Sequence, residues 1–230
     1  MSPTLLHLET ATEICSVALS KGNEIVASVC LDKGNSHTEH LFPFVEQVLA
    51  ESNCKISELD GVALSIGPGS YTGLRISASA AKGICYALNI PLIGISTLQS
   101  IVFGAIKQQM EAQKVLYCPM IDARRMEVFT ALFDENGEAI VEAEAKIIDE
   151  HSFSSELETH IIYFCGNGMP KCKPFLQHKN ARFIETQLDA SNMLLPALAK
   201  YESKQFEDIA YFEPFYLKEY LAKKSIVKGL

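Results

Sequence analysis

No two of the seven cysteines form C-x-x-C, and their number is odd. The scattered thiols at 15, 30, 54, 85, 118, 165 and 172 exclude a structural zinc site of paired cysteines and make a poor disulfide framework. Reduced, buried thiols in a cytoplasmic protein are the expectation. Basic residues are also scarce: 20 against 28 acidic ones, for a formal net charge of −8. That balance leaves no electrostatic footprint for wrapping nucleic acid or lying on an anionic membrane. The one evident basic cluster is C-terminal, at Lys218, Lys223, Lys224 and Lys228. No long apolar run exists either. The quietest stretch, Ile76 to Ile95, contains Lys82, Asn89 and Pro91, which rules it out as a membrane span. Met1-Ser2-Pro3-Thr4 lacks the basic and apolar regions of a secretion signal. A Walker loop and a G-x-S-x-G elbow are both missing.

What is present is a globular balance: 230 residues, 48% apolar and 21% charged. Such a length suits one large domain or two small ones with a sizeable core. The runs Thr4–Glu9, Ile14–Ser20 and Ile25–Leu31 read as strands, the last two joined as a hairpin through Lys21-Gly22-Asn23-Glu24. Ser36-His37-Thr38-Glu39 is a capping box, and behind it Leu41, Phe44, Val45, Val48 and Leu49 recur at helical spacing. Gly61–Ile66 reads as a buried strand, Thr72–Leu88 as a helix, Pro91–Ile95 as a strand, and Ser96 as the cap of a helix to about Gln109.

The second half repeats that order. Val115–Ile121, Met126–Phe133 and Glu138–Ala143 read as strands, with Asn136-Gly137 as a hairpin signal. Ile161–Cys165 runs into Gly166-Asn167-Gly168, followed by a strand at Ala181–Ile184 and a helix near 190–203. Glu9 and Asp122 each close the first strand of their half, and Gly22 and Gly137 each sit in its hairpin turn. The pattern predicts two similar α/β lobes, residues 1–107 and 108–230, with polar Gln108–Lys114 as linker.

Three places invite chemistry. In Gly67-Pro68-Gly69-Ser70-Tyr71-Thr72-Gly73-Leu74-Arg75 a strand feeds a glycine turn and then a helix N-terminus. This suits an anion, with Gly67, Gly69, Ser70, Thr72, Gly73 and Arg75 as its seat. It equally suits a tight turn that packs backbone against a neighbour. Glu9 and Asp122, if they face one cleft, suit magnesium and nucleotide phosphates, although the loop after Glu9 has no glycine; capping or turn acids are the alternative. Likewise Gly166-Asn167-Gly168 reads as a second phosphate or adenosine loop or as a plain turn. His37 and His40 are three apart with no third ligand nearby in sequence, so no metal is expected.

The chain resembles the TsaB (YeaZ) family. The resemblance rests on Leu8-Glu9-Thr10, Cys15-Ser16-Val17-Ala18-Leu19, Ser36-His37, the 67–75 string, Asp122-Ala123-Arg124-Arg125-Met126-Glu127-Val128 and Pro214-Phe215-Tyr216-Leu217-Lys218. It implies an actin-like, RNase H-like fold of two lobes with duplicated mixed sheets flanked by helices. It also implies a non-catalytic subunit that supports a larger catalytic paralogue, TsaD, and meets the ATPase TsaE through the complex. Together they transfer a threonylcarbamoyl group to N6 of adenosine 37 in tRNAs reading codons that begin with A. The resemblance implies no catalytic residue and no required cofactor, with weak or absent ATP or ADP binding. The catalytic paralogue carries a pair of metal-binding histidines four apart on its first helix, whereas residue 41 here is Leu.

Pairing in the family runs through the first-lobe helices. The expected interface is therefore His37, His40, Leu41, Phe44, Val48, Ser77, Ser79 and Ala80, with a homodimer when the chain is isolated. tRNA is expected to be contacted only indirectly, through the partner. The alternatives are a nucleotide-binding actin-like ATPase or kinase and a glycoprotease-like metallopeptidase.

Overall fold

The computed structural model describes residues 2–32, 37–109 and 114–218. Ser36, expected to cap the first helix, lies outside them, as do most of the expected linker and Lys223, Lys224 and Lys228. The first sheet contains β1 (Thr4–Glu9), β2 (Cys15–Lys21), β3 (Glu24–Leu31), β4 (Gly61–Gly67) and β5 (Leu92–Ser96), in the order β3-β2-β1-β4-β5. The second contains β6 (Val115–Asp122), β7 (Glu127–Phe133), β8 (Ala139–Ile147), β9 (Ile161–Cys165) and β10 (Ala181–Ile184), in the order β10-β9-β6-β7-β8. Read from the hairpin edge, the orders coincide. In both, the first three strands are antiparallel and the last two join in parallel. The hairpin turns form where glycine accepts a positive φ, +58° at Gly22 and +78° at Gly137.

Helices α1 (His37–Glu51) and α2 (Tyr71–Leu88) cover the outer face of the first sheet. α1 lays Leu41, Val45, Val48 and Leu49 onto Leu6, Leu8, Val17 and Leu19. Full burial of such a side chain stabilises by about 1.5–3 kcal/mol. α3 (Thr97–Ile106) follows β5, with the expected Ser96 cap accepting from the Gln99 amide. It packs Leu98, Ile101, Val102 and Ala105 on Val115 and Tyr117 of the second sheet. α4 (Ser154–Thr159) and α5 (Met169–Cys172) are short helices on the far side of that sheet, where Leu157, Met169 and Cys172 join Phe164 and Cys118 in a third cluster. The expected 190–203 helix begins as a 3-10 turn, Ala190–Met193, and continues as α6 (Leu194–Glu202). Its Met193 and Ala197 pack back on Leu5, Ala63, Ile93 and Ile95 of the first sheet. Thus α3 leaves the first sheet to cover the second, and α6 returns from the second to cover the first.

The remaining chain crosses the molecule as a strap. The Glu207 amide donates to the Leu92 carbonyl, Lys82 donates to the carbonyls of Ala210 and Phe212, and the Phe215 amide donates to the Ile66 carbonyl. The strap ends with Lys218 paired to Glu127. Among the described residues no helix is long and apolar enough to cross a membrane.

Candidate functional site

The glycine turn of 67–75 closes against the loop that follows β1. The Ser70 amide donates to the Ala11 carbonyl at 2.6 Å, and Thr10 Oγ1 donates to the Gly73 carbonyl at 2.8 Å. A Cβ on Gly69 would lie 2.4 Å from the Ala11 oxygen, and one on Gly73 2.0 Å from the Thr10 oxygen. On Gly67 it would meet the Phe215 oxygen at 2.3 Å. Ser70 caps α2 by accepting from the Gly73 amide at 3.2 Å. These glycines therefore allow backbone to approach backbone, the packing alternative of the two sequence readings. Thr72 and Arg75 leave the turn altogether and line a groove on the outer side of α2. Arg75 lies over the Tyr71 ring, 5.1 Å from its centre. The six residues of the expected anion seat are thus divided between a packed turn and a surface groove.

Glu9 and Asp122 differ sharply. Glu9 is fully buried, accepting from the Ala11 amide at 2.7 Å and from the Ser65 hydroxyl. Burial pushes its carboxyl up to about 7. Asp122 is exposed and held below its ordinary range by hydrogen bonds from Lys171 and the Arg124 amide, which outweigh its partial desolvation. Between the sheets, a cleft of about 200 Å³ is lined by Thr12, Glu13, Asp32, Asn167 and Gln187 among others. Ligand pockets usually span about 300–1,000 Å³. Its lining holds two acids, Glu13 and Asp32, and no lysine or arginine.

His37 is buried, and its Nε2 donates to the Thr12 carbonyl at 2.9 Å. The His40 ring meets Phe44 at a tilt of 57°, with ring centres 5.6 Å apart. No group of three or more metal-binding side chains occurs among the described residues.

A broad recess lies between α1 and α2. It is an open groove of about 850 Å³, lined by Thr38, Leu41, Phe42, Ile56, Tyr71, Thr72, Arg75, Ile76, Ser79, Ala80, Gly83, Ile84, Ala87 and Leu88. Ser79, Gly83 and Ala87 are four apart and exposed, so they form one row of small residues along α2. A Cβ on Gly83 would touch nothing within 4 Å. Phe42 (54% exposed) and Ile56 (45%) are large apolar groups left in solvent on the opposite wall.

The expected interface residues are redistributed by this geometry. Ser79, Ala80 and Leu41 reach the groove, Leu41 only with its edge. His37, Val48 and Ser77 are buried in the protein's own interior. His40 and Phe44 are half-buried outside the lining. Sequence reasoning missed Phe42, Ile56, Ile76, Gly83 and Ala87. The missed signal was the 79-83-87 spacing, opposite the core positions Leu74, Ala78, Ala81 and Cys85.

A family model described as "TsaD: tRNA N6-adenosine threonylcarbamoyltransferase" matches residues 32–229. The chain is 31% identical over 235 residues to the tRNA threonylcarbamoyladenosine biosynthesis protein TsaB of Escherichia coli, covering 96% of this chain and 97% of that one. A Pseudomonas aeruginosa crystal structure, described as an uncharacterized protein similar to peptidase YeaZ, superposes with a TM-score of 0.81 at 25% identity, covering 94% of this chain and all of that one. The activator of 2-hydroxyisocaproyl-CoA dehydratase from Clostridium difficile, solved with ADPNP, shares the fold at a TM-score of 0.50 and 13% identity, over 89% of this chain and 98% of that one. An identity of about 30% to curated relatives over nearly the whole length of both chains gives one conclusion: the chain belongs to the TsaB (YeaZ) family.

Proposed function

We propose that this chain is the non-catalytic partner subunit in tRNA threonylcarbamoyladenosine biosynthesis, and that it supports a larger TsaD-type paralogue by docking it on the α1–α2 groove. The groove itself carries this reading. It leaves apolar area in solvent along two helices, and its row of small residues admits a partner helix at a close axial distance of about 8 Å. Self-complementarity of the same face makes a second copy its occupant when the paralogue is missing. A TsaE-type ATPase joins through that complex. The chain requires no nucleotide of its own; the small acidic cleft and the packed 67–75 turn support this. A protease role finds no support in the buried His37 or in the scattered cysteines.

The test is calorimetric titration of the purified paralogue with Ser79→Glu. Ser79 is exposed, so its replacement leaves the fold and its melting temperature unchanged. A carboxylate in the middle of the docked face should weaken binding at least about 100-fold, or roughly 2.7 kcal/mol. An affinity equal to that of the unaltered chain removes the groove from the interface.

A further inference from the structure

We propose, resting on the groove reading above, that Arg75 selects the partner: it pairs with a carboxylate on the docking helix of the larger paralogue, and a second copy of this chain brings no such acid to it. Arg75 is the one charged residue in the lining of the α1–α2 groove. The nearby α1 acids Glu39 and Glu46 are exposed but lie outside that lining. In the free chain the charge costs nothing, because the side chain is exposed to water. A helix seated in the groove removes that water. A cation left unpaired on a desolvated apolar face is expensive, so the occupant has to supply an acid there.

Arg75 is also held ready. Its Nη1 donates to the Tyr71 hydroxyl at 3.2 Å, and its guanidinium carbon lies 5.1 Å from the centre of the same ring. Tyr71 in turn packs on Tyr216 of the C-terminal strap, with ring centres 4.7 Å apart and a tilt of 39°. A planar guanidinium stacked on a braced ring loses little freedom when it closes on a carboxylate, and it can do so through two parallel hydrogen bonds. Among the described residues no acid takes that place: Arg75 enters no ion pair.

The occupant so specified is a helix with small or apolar residues against the Ser79–Gly83–Ala87 row and one Asp or Glu at the Arg75 end, near the start of α2. Charge then does the sorting that apolar area cannot. Apolar faces of similar shape attract alike, whereas an unmatched charge penalises the wrong partner. A second copy that lays the same lining against this one adds a second Arg75 and no carboxylate. Self-pairing through the groove is therefore the weaker of the two associations.

The experiment titrates the purified paralogue with the full chain, with Arg75→Leu and with Arg75→Lys, between about 50 and 500 mM KCl. Self-association of each chain alone is followed by sedimentation velocity. Arg75 is exposed, so both variants should keep the fold and the melting temperature. Arg75→Leu should bind the paralogue at least about tenfold less tightly at low salt and lose much of the salt dependence. Arg75→Lys keeps the charge without the fork and should recover part of the loss. Self-association of Arg75→Leu should be unchanged or tighter. Equal paralogue binding by Arg75→Leu and the unaltered chain overturns the proposal. So does a lysine variant as weak as the leucine one, which would assign the effect to packing on Tyr71. Equal weakening of self-association and paralogue binding would make Arg75 a contact without selectivity and overturn it too. The Ser79→Glu titration separates the two readings. If Ser79→Glu weakens binding and Arg75→Leu does not, the groove stands and the selection falls; if Ser79→Glu has no effect, both fall.

Discussion

Gly73→Ala should lower the melting temperature by roughly 6–12 °C, while Gly83→Ala on the same helix should leave it level or raise it slightly. Helix propensity alone predicts the same gain for both, about 1 kcal/mol in favour of alanine. Their surroundings separate them. At Gly83 the new methyl meets nothing within 4 Å. At Gly73 it would lie 2.0 Å from the Thr10 carbonyl oxygen and 3.2 Å from its carbon. Ordinary contact needs more than an ångström of separation beyond that, and backbone lies on both sides. Pushing the loop away strains the Thr10–Gly73 and Ser70–Ala11 hydrogen bonds, each worth about 1 kcal/mol, and adds an overpacking cost of about 1–3 kcal/mol. The net loss is about 3 kcal/mol, and a domain of this size loses about 2–4 °C per kcal/mol. Thermal unfolding followed by circular dichroism decides it. Equal melting temperatures for the two variants would show that the 67–75 turn is not held by this contact, and would reopen it as a ligand loop.

The motif that looks most like chemistry is thus legible as a motif but ambiguous in meaning. Glycines spaced for phosphate and glycines spaced for backbone contact leave the same letters in the sequence; only the position of Thr10 and Ala11, some sixty residues earlier, tells them apart. The strands were legible because each buried run is bounded by its own turn signal, as at Gly22 and Gly137. The doubling of the sheet was legible for the same reason. α4 and α5 have six and four residues, too few for a helical period to register. β8 runs on to Ile147, past the expected Ala143, because its alternating acids at Glu142 and Glu144 belong to a solvent-facing strand. The outward face of α2 was the hardest to read. Small residues occur on several of its sides: Gly73 serves a neighbouring loop, Ser77 and Ala81 serve the core, and Ser79, Gly83 and Ala87 face solvent. Size alone does not separate these roles. The return of α6 to the first sheet left no local signal either, since nothing in Leu194–Glu202 specifies which of two apolar faces it covers.

Glu9→Gln should turn a nearly flat pH dependence of stability into a rising one. Glu9 and His7 lie two residues apart on β1, so they share one face of the strand, and both are fully buried. Burial pushes the Glu9 carboxyl from 4.5 up to about 7, partly countered by its Ser65 and Ala11 hydrogen bonds. Burial pulls the His7 imidazole from 6.5 down to about 3, helped by the Lys107 cation. Each group is therefore held neutral in the fold, and their effects on stability run in opposite directions. The Glu9 contribution is complete below pH 4.5 and is lost as pH rises toward about 7, because the native state keeps a proton that the unfolded chain has released. The His7 contribution is complete above pH 6.5 and is lost as pH falls toward about 3, because the unfolded chain takes up a proton that the native state refuses. Each slope amounts to about 1.4 kcal/mol per pH unit. Between pH 4.5 and 6.5 they cancel, and the unaltered protein should be nearly flat. A glutamine at position 9 keeps the acceptor for Ala11 and supplies a donor for Ser65, but does not titrate. Its stability should rise with pH across that window, and at pH 8 it should exceed the unaltered protein's by up to about 3 kcal/mol. Urea unfolding at a series of pH values reads both effects. Parallel curves for the two proteins would mean that Glu9 titrates alike in the folded and unfolded chains, and that its burial between Ser65 and Ala11 is not what sets its charge.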